Sequence, residues 1–317
     1  MKILAVDDDP LFLDVLKEVL ASAGQQDVAL ATSAVEAAKL ISEAEPAFDV
    51  CFIDIRMPEI EGDYLCKWVR RLPQYHDKAI VMLTARKDKA DIDRAFAAGA
   101  SDYVTKPVDF GDFIDKVKEI EHRLRRERQG AQPMRPTTRV PSRPGIDFAL
   151  PLALDDVKGA IEIGALENYL LKLSESQTHQ MTAVALKVVD AAKLHLTCTP
   201  GDYVQLLETV AKGILKTLGV SGAFISYAGY GAFVCVAEDP RIADWTPESL
   251  EAAVAKTLEG MGAPKTDLCA SPPLKLGRWS GRKVADAMYR TIGDAEARCS
   301  MFRIEALSGV MDGLDEK

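Results

Sequence analysis

Five side chains able to handle a metal ion and a phosphoryl group stand at the ends of short apolar runs. Ile3-Leu4-Ala5-Val6 runs into Asp7 and Asp8, and Asp49-Val50-Cys51-Phe52-Ile53 runs into Asp54. Ala79-Ile80-Val81-Met82-Leu83 ends in Thr84, and Tyr103-Val104-Thr105 ends in Lys106-Pro107. Magnesium takes one or two carboxylates, keeps several waters and accepts phosphate oxygens as its remaining ligands. A carboxylate can itself be the nucleophile of phosphoryl transfer, and Asp54, alone at its run's end, suits an aspartyl-phosphate. The transfer needs mainly positioning and neutralisation of the equatorial oxygens. A metal ion, the Lys106 ammonium and the Thr84 hydroxyl are a suitable complement for three such oxygens.

These residues need a scaffold that makes the ends of separate runs converge. Each run is short and apolar, and helix-period stretches separate it from the next, as in a parallel α/β sheet. Ligands of such sheets bind outside the carboxyl ends of the strands. The spacing predicts five βα units. Helices are expected over Leu11–Leu20 (with Leu11-Phe12, Val15-Leu16 and Val19-Leu20 as one stripe), Ala34–Ile41, Tyr64–Val69, Ala90–Ala98, and onward from Phe110. Asp9 before Pro10 reads as the cap of the first. The last carries Phe110, Phe113, Ile114, Val117, Ile120 and Leu124 at three-four spacing. That face is expected to be mostly core, and its outermost turn could pair with a second subunit.

On these residues the first part of the chain resembles a two-component receiver domain, the phospho-accepting module of response regulators. The motifs are Val6-Asp7-Asp8-Asp9-Pro10, Asp54-Ile55-Arg56-Met57-Pro58, Leu83-Thr84-Ala85, and Gly99-Ala100-Ser101-Asp102-Tyr103-Val104-Thr105-Lys106-Pro107. The resemblance implies a flavodoxin-like (βα)5 fold, with Asp54 as phospho-acceptor and Mg2+ as cofactor. It implies that Asp7, Asp8, Asp54 and the main-chain carbonyl of Arg56 serve the metal and that Lys106 binds phosphate. Thr84 and Tyr103 would form the switch that senses phosphate, and a histidine kinase or phosphotransfer protein would be the upstream partner.

The chain has 317 residues, a net charge of −9 and a pI near 5.1, enough for about two domains. Acidity argues against bulk attraction to nucleic acid or anionic lipid. No apolar stretch approaches a membrane span. The six scattered cysteines lack metal spacing and read as reduced core residues, so a cytoplasmic location is expected. The expected organisation is a receiver over 1–128, a Pro/Arg-rich linker over 129–146 and an output domain over 147–317. The linker arginines would be a solvated tether; a DNA-binding regulator is the alternative, and no helix-turn-helix follows them.

The second domain reads as α+β. Helical spacing spans Val157–Leu173, Tyr203–Leu218, Leu250–Met261 and Arg282–Ile292, with strand-like runs over Thr182–Val189, Ala223–Tyr227 and Ala232–Ala237. Ala228-Gly229-Tyr230-Gly231 would make a tight hairpin. This order resembles the GGDEF domain of diguanylate cyclases. Gly229, Tyr230, Gly231, Ala232 and Phe233 stand where that family writes its signature. Gly201-Asp202 precedes the long helix, so Asp202 would meet a guanine base, or would simply serve a helix start. Ala285-Asp286-Ala287-Met288-Tyr289 resembles the terminal motif, and Asp155-Asp156-Val157-Lys158-Gly159 a faded opening. Gly231 and Ala232 cannot ligate a cation, Tyr230 replaces a glycine, and Lys187, Val188 and Val189 lie where a metal-binding aspartate is expected. The inhibitory Arg-x-x-Asp is absent. The resemblance therefore implies a degenerate, catalytically inactive GGDEF-like domain serving protein interaction or dimerisation. The alternative is an active cyclase making cyclic di-GMP from GTP.

Overall fold

The structure, a computed structural model, describes residues 1–85, 89–128, 146–220, 222–277 and 281–315. The chain forms two compact units, Met1–Thr137 and Thr138–Lys317. The linker expected over 129–146 lies, apart from Ile146, outside the described residues.

The first unit alternates strand and helix: β1 (Ile3–Val6), α1 (Pro10–Ser22), β2 (Val28–Ala31), α2 (Ala34–Glu43), β3 (Val50–Asp54), α3 (Gly62–Arg70), β4 (Ala79–Thr84), α4 (Lys89–Ala97), β5 (Asp102–Thr105) and α5 (Phe110–Arg128). The strands form one parallel sheet in the order β2-β1-β3-β4-β5, a flavodoxin-like arrangement. β1, β3 and β4 are buried at every position, as strands covered on both faces by crossover helices must be. Ile3, Ala5, Phe52, Val81 and Leu83 pack with Leu13, Leu16 and Leu20 of α1 and Phe113, Val117, Ile120 and Leu124 of α5. The α5 stripe is thus mostly core, as expected, except that Phe110 is exposed and Ile114 only partly buried. The α1 stripe needs correction: Leu13, Leu16 and Leu20 are its buried line, while Leu11 and Val15 are exposed. Asp9 accepts from the backbone N–H groups of Leu11 and Phe12, as a cap at the helix start does.

The second unit contains α6 (Ile163–Lys172), α7 (Glu175–Thr178), β6 (Thr182–Val188), α8 (Ala191–Thr197), α9 (Pro200–Leu218), β7 (Phe224–Tyr227), β8 (Ala232–Ala237), α10 (Pro247–Gly260), β9 (Leu268–Ala270), β10 (Leu274–Lys275) and α11 (Arg282–Asp315). Its sheet is antiparallel, ordered β10-β6-β8-β7 with β9 also on β6. Tyr203, Leu206, Leu207, Val210, Ile214 and Leu218 of α9 form the expected buried face. Three boundaries differ from expectation. Helix starts only at Ile163, because the chain before it runs beside β7: Ala160 bridges Ile225, and Gly159 takes a left-handed φ of 92° within close reach of the Ala223 carbonyl. Gly201 and Asp202 lie inside the first turn of α9 rather than before it, because Thr199 is the cap. α11 continues well past Ile292. All six cysteines are free, and all but Cys198 are buried. No described helix is long and apolar enough to cross a membrane.

Candidate functional site

Register brings the predicted residues together. Val6 pairs with Ile53 and Asp54 with Leu83, so Asp7, Asp54 and Thr84 all stand at the carboxyl edge of the sheet. Thr84 pairs with Thr105, and its carbonyl accepts the Lys106 N–H at 2.6 Å. The Lys106–Pro107 peptide is cis. The Lys106 ammonium lies 2.5 Å from Asp7 Oδ2 and 3.1 Å from Asp54 Oδ1, over the Phe12 ring at 4.5 Å. Burial works against that charge, but the hydrogen bond to Asp7 and attraction to Asp54 outweigh it and hold the ammonium above its ordinary pKa. Asp54 responds in the opposite sense. Desolvation pushes its carboxyl up to about 6 although Lys106 pulls it down, and Asp7 and Asp8 add repulsion.

Carboxylate oxygens of Asp7, Asp8 and Asp54 lie within 4.8 Å of one another, Asp8 exposed and the other two buried. Two ligands of one magnesium ion lie at most about 4 Å apart, so these oxygens are close to that span, and an all-oxygen donor set with a solvent-facing member suits magnesium. The fit is therefore good. Arg56 follows Asp54 by two positions, and its side chain leaves the crevice to meet Glu61 at 2.8 Å and Asp91 at 3.4 Å. Thr84 is buried, and so is Tyr103, whose ring meets Phe96 of α4 edge-on at 6.2 Å. Both expected switch residues thus face inward, and burial and Asp102 raise the Tyr103 phenol to about 12.

Reasoning from sequence missed Gly62. A Cβ there would lie 1.9 Å from the Asp54 carbonyl oxygen, and its N–H donates to Ile55 O at 2.9 Å, so α3 begins hard against the site. It also missed Glu61 and Asp63, both paired with Arg94 of α4, and Asp91 of α4, paired with Arg56. A lone glycine and scattered charges carry no spacing signal that would have found them.

Comparison with known proteins covers this unit. Residues 3–118 match the response regulator receiver domain family. A chemotaxis protein CheY homolog of Campylobacter jejuni subsp. jejuni (strain 81-176) is 37% identical over 120 residues, 38% of this chain and 92% of that protein. The chain belongs to the response regulator receiver family. The DNA-binding dual master transcriptional regulator RpaA of Synechocystis is 32% identical over 131 residues, 41% of this chain; the match spans about half, 53%, of that relative's length. The receiver domain protein (CheY-like) from Methanospirillum hungatei JF-1 is 30% identical, covering 39% of this chain and 96% of that one with a TM-score of 0.36. Receiver domains work in two-component systems and meet histidine kinases or phosphotransfer proteins.

In the second unit the predicted hairpin residues also come together. β7 and β8 are joined by Ala228–Gly231, and Gly229, Tyr230 and Gly231 take left-handed φ values of 87°, 53° and 77°. The tip is fully engaged. Tyr230 N–H donates to Phe148 O at 2.8 Å, Gly231 N–H to the Tyr227 hydroxyl at 3.0 Å, and Lys187 Nζ to Tyr230 O at 2.8 Å. Ala232 and Phe233 are buried in the sheet. A Cβ on Gly231 would lie 2.2 Å from that of Ala191. Asp202 is exposed, far in role from a ligand set: it accepts the Thr199 hydroxyl at 2.6 Å within the α9 start.

Proposed function

We propose that this chain is a response regulator phosphorylated on Asp54 in a Mg2+-dependent reaction, with a second unit that is a catalytically inactive GGDEF-like module used for protein interaction or dimerisation. The observation that carries the receiver half is the convergence of Asp7, Asp8, Asp54 and Lys106 at one sheet edge. An Asp54 carboxylate oxygen attacks the phosphorus of a phosphohistidine donor; the acyl-phosphate bond forms as the donor's P–N bond breaks, and the nitrogen keeps the electron pair. Lys106 meets the added negative charge and then shares its attention between Asp7 and the phosphoryl oxygens. Asp7, Asp8, Asp54 and the Arg56 carbonyl would hold Mg2+, which neutralises phosphoryl oxygens when bound. Thr84 and Tyr103 act as the switch, adjusting α4, β5 and α5 to the new charge.

The inactive reading of the second unit is supported by its hairpin. The position where the resembled family has a carboxylate is glycine, and packing against Ala191 leaves no room for a side chain. A lysine, not an aspartate, reaches the tip from β6. The segment around Phe148 lies on the tip, where a nucleotide would approach. Output therefore runs through a binding surface and not through a second messenger.

Two assays test this reading. The full chain supplied with GTP and Mg2+ or Mn2+ should yield no cyclic dinucleotide; turnover would overturn the inactive assignment. Size-exclusion chromatography with acetyl phosphate and Mg2+ should change the elution of wild type and not of Asp54→Asn. Identical shifts in both would remove Asp54 from the signal.

A further inference from the structure

The loop between β3 and α3 is closed at both ends. Ile55 N–H donates to Leu83 O and Gly62 N–H to Ile55 O, both at 2.9 Å, while Ile60 N–H reaches back to Pro58 O at 2.7 Å. Glu59 inside it takes a left-handed φ of 65°. Across its mouth lies a ring of charges. Glu61, the residue capping α3, accepts Arg56 at 2.8 Å and Arg94 of α4 at 2.7 Å. Arg56 also reaches Asp91 at 3.4 Å, and Arg94 reaches Asp63 at 3.6 Å.

Exposed ion pairs by themselves contribute little. Here Asp63 and Asp91 are buried, and Asp63 Oδ1 has no hydrogen-bond partner among the described residues. A buried carboxylate losing its counter-charge is strongly disfavoured. The two arginines are therefore anchored from below, and they in turn grip Glu61 from both sides. Hydrogen bonding from Arg94, together with the attraction of both guanidinium groups, holds the Glu61 carboxyl below its ordinary pKa.

We infer that Glu61 and Arg94 are positioning residues for the divalent cation, holding the β3–α3 loop that carries the Arg56 main-chain carbonyl and tying that loop to α4. The inference rests on the proposed assignment of that carbonyl to the metal. Neither side chain belongs to the Asp7, Asp8 and Asp54 cluster. Their effect passes through Arg56, whose side chain they fix from the loop and from α4 together. Partners that orient metal ligands in this way commonly change affinity about 10- to 100-fold when removed.

The test titrates MgCl2 into the full chain by calorimetry and measures acetyl phosphate labelling against Mg2+ concentration. Arg94→Met and Glu61→Gln should each raise the half-saturating Mg2+ by about tenfold, with the labelling rate at saturating Mg2+ close to wild type. Arg94→Lys, which keeps a charge near Glu61 and Asp63, should recover most of the affinity. A merely structural role would lower the melting temperature and leave Mg2+ half-saturation unmoved; that result overturns the inference while Mg2+ binding by wild type upholds the site. Wild type that neither binds Mg2+ nor labels would overturn the site reading itself.

Discussion

Asp54 and Lys106 show how a buried carboxyl and a partly buried ammonium set each other's charge. Desolvation lifts the Asp54 carboxyl to about 6, and Lys106 limits that rise. The sign has a thermodynamic consequence. A carboxyl whose folded pKa exceeds its unfolded value near 3.9 costs stability when ionised; the cost is full above about 6 and fades as pH falls toward 4. Asp54→Asn should therefore raise the melting temperature at pH 8 in the absence of Mg2+, and the gain should vanish near pH 4 in scanning calorimetry. Labelling by acetyl phosphate should fall as pH drops through about 6, because the protonated carboxyl is no nucleophile. Lys106→Ala leaves the ionised acids without their cation. Its labelling rate should fall on the order of 10²- to 10³-fold, the effect of losing one transition-state charge partner, as timed by intact mass.

Elements, more than single side chains, decide what the two candidate sites can accommodate. α3 starts against the Asp54 carbonyl, so Gly62→Ala forces the helix start outward. About 1–3 kcal/mol of stability should be lost in urea titration, with Mg2+-dependent labelling lost as well. In the second unit, grafting a carboxylate onto the hairpin should fail for a related reason. Gly231 combines a left-handed φ with contact to Ala191 of α8. Gly231→Asp should destabilise by about 3 kcal/mol and yield no cyclic dinucleotide from GTP. Helix faces were legible where one residue type dominates: the buried line of α9 is the one its spacing predicts. On α1 adjacent pairs of apolar residues hid the register, and packing on the sheet selects Leu13, Leu16 and Leu20. The short bridge of Ala160 to Ile225 was invisible because apolar residues at helical spacing serve an edge segment equally well.

At the scale of the whole molecule, an α/β unit and an α+β unit were both legible, since alternation of β-rich runs with helix-period stretches is a long-range pattern. The candidate site residues at strand ends were legible too: Asp7, Asp8, Asp54, Thr84 and Lys106 each terminate a run, and the parallel sheet gathers run ends. What escaped was everything set by approach in space. Gly62 against Asp54, Arg94 on Glu61 and Lys187 on the hairpin tip join residues whose separation in the chain gives no hint of contact. Those contacts shape both candidate sites, setting α3 against Asp54 and closing Lys187 onto the hairpin tip.

The claim beneath all of this is that Asp54 takes up a phosphoryl group. Intact-mass spectrometry after incubation with acetyl phosphate and Mg2+ tests it most directly. The prediction is the mass of one added phosphoryl group on wild type, lost on chelating Mg2+ and absent from Asp54→Asn. An unlabelled wild type under conditions that label a known receiver, or equal labelling of Asp54→Asn, would contradict it.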